Sequence, residues 1–225
     1  MKDYAANEVK NICLLGHSGS GKTTIVESML YFTKATDRMG KTLDGTSVLD
    51  YDAEEVKRGL SIFTSVAPIE WKDHKINFID TPGYFDYAQE LESGLAVADN
   101  ALIVVDGKDG IQTGTLRAFK QVSKRKIPTI FFINKLDEEN TSFDKVYTQL
   151  RVKFGKTIIP FEIPIVENGN IVGSVNILRN KAWYLNDREN AKEVPAELKP
   201  VVDDYLAQIS ESIAMTCDEL MEKFF

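Results

Sequence analysis

Three short stretches of this chain carry side chains whose types and spacing suit phosphate and base chemistry. The first, Gly16-His17-Ser18-Gly19-Ser20-Gly21-Lys22-Thr23, fits the pattern G-x-x-x-x-G-K-[ST]. Its glycines let successive backbone N–H groups turn inward on phosphate oxygens. Lys22 would reach the β- and γ-phosphates and the Thr23 hydroxyl a Mg2+ ion. Including Thr24, residues 17–24 form the expected phosphate-contacting stretch. The plainer alternative is a glycine-rich turn with a solvated lysine, and His17 reads as part of the turn rather than as a catalyst or ligand.

The second stretch is Asp80-Thr81-Pro82-Gly83. Asp80 would hold Mg2+ through water, and the Gly83 N–H would bond a γ-phosphate where any side chain would crowd the approach. The same D-x-x-G pattern recurs at Asp37-Arg38-Met39-Gly40, which follows no strand and reads as a chance match in a loop. The third stretch is Asn134-Lys135-Leu136-Asp137. A carboxylate there accepts two hydrogen bonds from guanine, at N1–H and the 2-amino group. Adenine offers neither donor, so the acceptor would be left unpaired. Asn134 and the Lys135 stem would flank the base. Alternatively, this is a polar strand end that caps the next helix.

Each motif needs a strand to deliver it. Val9 to Gly16 is a short apolar run that reads as a buried strand, and Thr23 to Phe32 follows with helical spacing. The phosphate motif thus opens a helix, whose N-terminus favours anions. Residues 34–59 are polar and aperiodic; a loop that long in a compact domain is usually functional or mobile. Leu60 to Trp71 and Lys75 to Asp80 read as strands of a hairpin turning at Asp73-His74. Ala101 to Val105 and Thr129 to Ile133 are continuous apolar runs, as in a parallel sheet covered on both faces. Gln112 to Arg125 and Thr141 to Phe154 read as helices, the latter with Phe143, Val146, Tyr147 and Leu150 on one stripe. Alternating strands and helices predict an α/β fold over residues 1–155, with a mostly parallel sheet flanked by helices. All three motifs then lie at the carboxyl edge of that sheet, where ligands bind. After Gly155 the character changes. Ile158 to Asn176 is β-rich with a turn at Glu167-Asn168-Gly169-Asn170, and Pro195 to Phe225 reads as helical. Residues 156–225 are expected to form a small α+β sub-domain.

Composition narrows the function further. The 225 residues include 27 Lys and Arg against 34 Asp and Glu, a net charge of −7. That balance argues against a broad basic face gripping nucleic acid. Two cysteines and two histidines show no metal-ligand spacing. No apolar run approaches the roughly 20 residues of a membrane span. Met1-Lys2-Asp3-Tyr4 puts charge where a signal peptide would be apolar. The expectation is a reduced, cytoplasmic protein away from membranes.

Phosphate loops beginning Gly-His, a downstream Arg-Gly-x-[ST]-Ile and a D-T-P-G motif occur together in translational GTPases. With Gly16-His17, Arg58-Gly59-Leu60-Ser61-Ile62 and Asp80-Thr81-Pro82-Gly83-Tyr84-Phe85-Asp86-Tyr87, this chain resembles that family. Ile163-Pro164-Ile165, Gly173-Ser174-Val175-Asn176-Ile177, Pro195-Ala196-Glu197-Leu198 and Asp218-Glu219-Leu220-Met221-Glu222-Lys223 resemble the insert of elongation factor G, which the tRNA-delivering elongation factors lack. The resemblance covers nearly the whole chain. It implies a P-loop GTPase fold with an inserted sub-domain, GTP or GDP and Mg2+ as ligands, the ribosome as partner, and Mg2+-dependent GTP hydrolysis. It places switch I within residues 34–65, with the Ser61 hydroxyl on Mg2+ where most relatives have Thr. It places switch II within residues 80–98. Both would be ordered by γ-phosphate and Mg2+ and released on hydrolysis. Lys22, Gly83 and position 84 would serve the chemistry.

Two positions depart from the family pattern. Relatives usually have His where this chain has Tyr84, and commonly Asp where it has Gly19. Elongation-factor-G-like paralogues share both changes, and the chain resembles that branch. The family's last guanine-contacting loop, a Ser-Ala pair after a further strand, has no counterpart after Ile177. That loop and four further domains are expected beyond residue 225, so the chain reads as a piece of a longer one. Three functions compete. One is ribosome-stimulated GTP hydrolysis coupled to translocation. A second is a GTP-dependent binding switch with slow hydrolysis, as in a paralogue or a ribosomal protection factor, which Tyr84 favours. The third is an ATP-using P-loop enzyme, which Asn134 and Asp137 oppose.

Overall fold

The computed structural model describes residues 2–224, with side chains through residue 222. The chain divides into two compact units, Met1–Lys135 and Leu136–Phe225. The first contains β1 (Val9–Gly16), α1 (Lys22–Phe32), α2 (Ala53–Arg58), β2 (Ser65–Trp71), β3 (His74–Asp80), α3 (Ala88–Ala96), β4 (Asn100–Asp106), α4 (Thr113–Arg125) and β5 (Thr129–Asn134). The fold is that of a P-loop GTPase. Its sheet runs β2-β3-β1-β4-β5. β1 lies parallel between β3 and β4, and β5 is parallel to β4. Only β2 is antiparallel, joined to β3 by a two-residue turn. Lys72 and Asp73 in that turn have φ of 47° and 61°, the left-handed pair that matches strand twist.

The parallel strands need cover on both faces, and their sequences supply it. Cys13, Leu14 and Leu15 of β1 are fully buried, as are Ile103, Val104 and Val105 of β4. On one face, Leu14 and Phe78 pack with Val26 and Leu30 of α1, Ile69 of β2, and Leu49. Because β1 has β3 on one side and β4 on the other, the connections diverge at its carboxyl end and leave a crevice there.

Within residues 34–59 the structure differs from the expected loop: Ala53–Arg58 is helical. Asp52 caps it by accepting from the Glu54 N–H at 2.8 Å, Glu55 closes a capping box, and Gly59 at φ 62° ends it. The expected strand from Leu60 begins only at Ser65. Before it, the N–H groups of Ile62, Phe63 and Thr64 bond the carboxylates of Glu55 and Glu90 instead of a neighbouring strand.

The second unit contains α5 (Phe143–Phe154), β6 (Glu162–Glu167), β7 (Asn170–Asn176), β8 (Lys181–Tyr184), β9 (Asp187–Lys192), α6 (Lys199–Ala214) and α7 (Asp218–Phe224). Its sheet is an antiparallel meander, β6-β7-β8-β9. Ile163, Ile165, Val175, Ile177 and Ala182 pack with Val202 of α6 and with Phe143 of α5. Tyr147 of α5 meets Tyr205 of α6 edge-on, with ring centroids 5.8 Å apart. These contacts place α5 with the second unit, so the expected boundary after residue 155 falls inside that unit. The helical stretch expected from Pro195 to Phe225 begins at Lys199 and breaks between Ala214 and Asp218; Phe225 lies outside the described residues. Among the described residues, no helix is long and apolar enough to cross a membrane.

Candidate nucleotide and metal site

The loop from Gly16 to Lys22 joins β1 to α1 at the crevice. Gly21, at φ 95°, forms the N-cap of α1, and no side chain caps the helix. The first N–H groups of a helix have no partners within it, so the open end of α1 offers donors to an anion. Lys22 is buried, and its ammonium bonds His17 O at 3.0 Å and Gly16 O at 3.4 Å. Burial pushes its pKa down, against the pull of Asp80. His17 acts within the fold: its Nδ1 accepts from the Gly114 N–H at 3.3 Å, tying the loop to the start of α4. Ser18 lies half-buried, whereas Gly19 and Thr24 are exposed. A Cβ built on Gly19 meets nothing within 4 Å.

Hydroxyls and carboxylates gather beside Thr23. Its Oγ1 donates to Asp80 Oδ2 at 2.6 Å and lies 3.1 Å from Ser61 Oγ. Ser61 Oγ in turn donates to Asp50 Oδ1 at 2.7 Å. Asp80 and Asp50 are both nearly fully buried. Burial lifts the Asp80 carboxyl to about 6, outweighing the opposing pull of the Lys22 charge and the Thr23 hydrogen bond. The described residues include four buried side-chain polar atoms without a partner, and three of them, Ser20 Oγ, Asp50 Oδ2 and Asp80 Oδ1, belong to this cluster or its loop. Hard oxygen donors with unpartnered lone pairs, around a buried carboxylate short of positive charge, fit Mg2+.

Gly83 touches the phosphate loop. A Cβ there would sit 2.6 Å from Ser18 N and 2.7 Å from Lys22 Nζ. Gly83→Ala therefore pushes the loop and its lysine apart. Overpacking of about 1–3 kcal/mol is expected to weaken binding of a nucleoside triphosphate analogue about tenfold or more. Titration of the variant against wild type, with melting temperature as the folding control, checks this.

Beyond Gly83, Tyr84 is 46% exposed. It precedes a 3-10 turn, Phe85–Tyr87, that leads into α3. Phe85 stacks under the Arg117 guanidinium, 5.0 Å away.

At the end of β5, Asn134 Nδ2 donates to Ser20 O at 2.9 Å. Lys135, at φ 59°, pairs with Asp106 Oδ2 at 2.9 Å. Burial pushes the Asp106 carboxyl up, but its bonds from Lys135 and from the N–H groups of Lys108 and Asp109 prevail and hold it below its usual value. Asp137 belongs to the second unit and is exposed. Its loop is held by the Thr141 hydroxyl, bonded to Leu136 O at 2.9 Å and Glu138 O at 2.8 Å.

The structure thus brings Lys22, Thr23, Ser61, Asp80 and Gly83 together with the phosphate loop and Asn134. Asp50 and Asp106 escaped the sequence reading. Neither stands in a recognisable spacing, although Asp106 ends an apolar strand run just as Asp80 does.

Comparison with known proteins agrees with this fold. The crystal structure of a protein from Thermus thermophilus superposes with a TM-score of 0.90 at 33% identity, covering 96% of this chain and 33% of that one. This chain therefore spans about a third of that relative's length. The model of the elongation factor Tu GTP-binding domain matches residues 7–218. A guanine nucleotide is the ligand that such domains take, and the chain belongs to the family of elongation factor Tu GTP-binding domains.

Proposed function

We propose that this chain is the Mg2+-dependent GTP-hydrolysing domain of a ribosome-associated, cytoplasmic translation factor of the elongation factor G kind. In this reading residues 1–155 are the nucleotide domain, with α5 as its last helix although that helix packs with the second unit, and residues 156–225 are the inserted sub-domain. The observation that carries it is the set of unpartnered buried oxygens, Ser20 Oγ, Asp50 Oδ2 and Asp80 Oδ1, beside a buried lysine and the open end of a helix. Lys22 and the loop N–H groups hold the phosphates, and residues His17 to Thr24 wrap them. Thr23 and Ser61 offer hydroxyls and Asp80 a carboxylate to Mg2+. Bound there, Mg2+ would neutralise charge on the β- and γ-phosphate oxygens. The Gly83 N–H bonds the γ-phosphate, and Tyr84 stands next to it to orient the attacking water. Asn134, Lys135 and Asp137 receive the base.

Titration of the protein with GDP and with ADP, each with Mg2+ and with EDTA, tests the reading. Mg2+-dependent GDP binding and no ADP binding are expected; equal affinities for the two nucleotides would overturn it. A second reading, a binding switch with slow hydrolysis, is favoured by Tyr84 and by the missing carboxylate at Gly19. Phosphate release with and without ribosomes separates the two, because only the first expects strong stimulation.

A further inference from the structure

Glu27 lies on α1, one helical turn beyond Thr23 and so on the same face. Its side chain is only 1% exposed. A carboxylate that deep in an apolar core is costly unless it is fully bonded. Every partner of Glu27 comes from one stretch of chain. Oε2 accepts from the Gly40 N–H at 3.1 Å. Oε1 accepts from the Ser47 hydroxyl at 2.7 Å and from the N–H groups of Val48 and Leu49 at 2.7 and 3.4 Å. Gly40 also explains the second D-x-x-G match. A Cβ there would lie 2.5 Å from Glu27 Oε2 and 2.8 Å from the Ser47 Cα, so this glycine serves the close approach of the loop to Glu27.

These bonds start a closed circuit. Glu27 holds residues 40–49 against α1, and Leu49 enters the core beside Val26 and Leu30. The next residue, Asp50, accepts the Ser61 hydroxyl, and Ser61 lies against Thr23. The circuit begins and ends on α1, with Glu27 and Thr23 as its two fixed points. We infer that Glu27 is a positioning residue that carries Asp50 and Ser61 to Thr23 and so sets the preference of the site for nucleoside triphosphate over diphosphate. The inference rests on the guanine-nucleotide reading above. A diphosphate is held mainly by the loop before α1, whereas Ser61 joins only when residues 40–63 are in place.

The test measures affinities for GDP and for a non-hydrolysable GTP analogue, both with Mg2+, in wild type, Glu27→Gln, Glu27→Ala and Gly40→Ala. Amide exchange at Val48 and Leu49 and the melting temperature are recorded alongside. In Glu27→Ala, GDP affinity is expected to stay within about threefold of wild type, while affinity for the analogue falls about tenfold or more, because several charge-assisted bonds are lost. Exchange at Val48 and Leu49 accelerates. Glu27→Gln keeps one acceptor oxygen but turns a donor toward the Gly40 N–H, so its affinity ratio falls between the two. Gly40→Ala shifts the ratio in the same direction and keeps the test open should Glu27→Ala not fold. A wild-type ratio in all folded variants, even with faster amide exchange, would show that Glu27 is purely structural and overturn the inference. If wild type binds neither nucleotide, the guanine-nucleotide reading itself fails, and this inference with it.

Discussion

Asp137→Asn is expected to move nucleotide preference from guanosine toward xanthosine. A carboxylate at this position accepts from guanine N1–H and the 2-amino group together. The amide keeps one acceptor but presents an N–H to the 2-amino group, so two donors face each other. In xanthine the 2-position is a carbonyl, which that N–H can meet. One charge-assisted hydrogen bond gives way to facing donors and the other loses its charge, which is expected to lower GDP affinity about a hundredfold or more, with xanthosine diphosphate regaining much of it. Asp137 stands exposed on a loop held by Thr141, so the substitution leaves the packing intact and the effect is confined to recognition. Calorimetric titration with both diphosphates measures the exchange, and equal GDP affinity in wild type and variant would remove Asp137 from the base site.

Tyr84 governs the other large effect. Most relatives place an imidazole here, which orients water and can carry positive charge beside the developing γ-phosphate charge. A phenol offers one neutral hydroxyl. Phosphoryl transfer depends on positioning and charge stabilisation, and a single lost contact costs about a hundredfold to a thousandfold in rate. On its own, without ribosomes, the protein is therefore expected to bind GTP and hydrolyse it slowly, with Tyr84→His faster than wild type and Tyr84→Phe slower still. The ring is 46% exposed, so neither change disturbs a core. Single-turnover hydrolysis in the three proteins, with and without ribosomes, decides the matter. If Tyr84→Phe matches wild type in both conditions, the hydroxyl takes no part and the ring serves only as packing.

The sheet of the first unit was legible because parallel strands buried on both faces leave continuous apolar runs. β1 spans the same residues in sequence and structure. What escaped was decided by side chains reaching across the chain. α2 is six residues long and its one large apolar residue, Val56, is 43% exposed, so no apolar stripe marks it, although Asp52, Glu55 and Gly59 are cap residues. β9, Asp-Arg-Glu-Asn-Ala-Lys, is an edge strand in water on nearly every side chain, and alternation vanishes where neither face is buried. In the site, the loop and both of its carboxyl-edge partners could be read because each follows a strand. Asp50 could not, because its burial depends on a loop path set by Glu27, and acids at unremarkable spacing carry no mark of what they bond.

The depth of β1 also has a practical outcome for handling the protein. Cys13 is completely buried at the centre of the sheet, and burial, with a smaller push from the Asp80 charge, lifts its thiol to about 12. Cys217 is exposed. Only a thiolate attacks an alkylating reagent at speed, so the folded protein carries one labelling position, on the short connection between α6 and α7. Any modification of Cys13 reports an opening of the central strand. Its rate is then a clock for the rare excursions that expose the strand leading into the phosphate loop, and occupancy by nucleotide slows that clock.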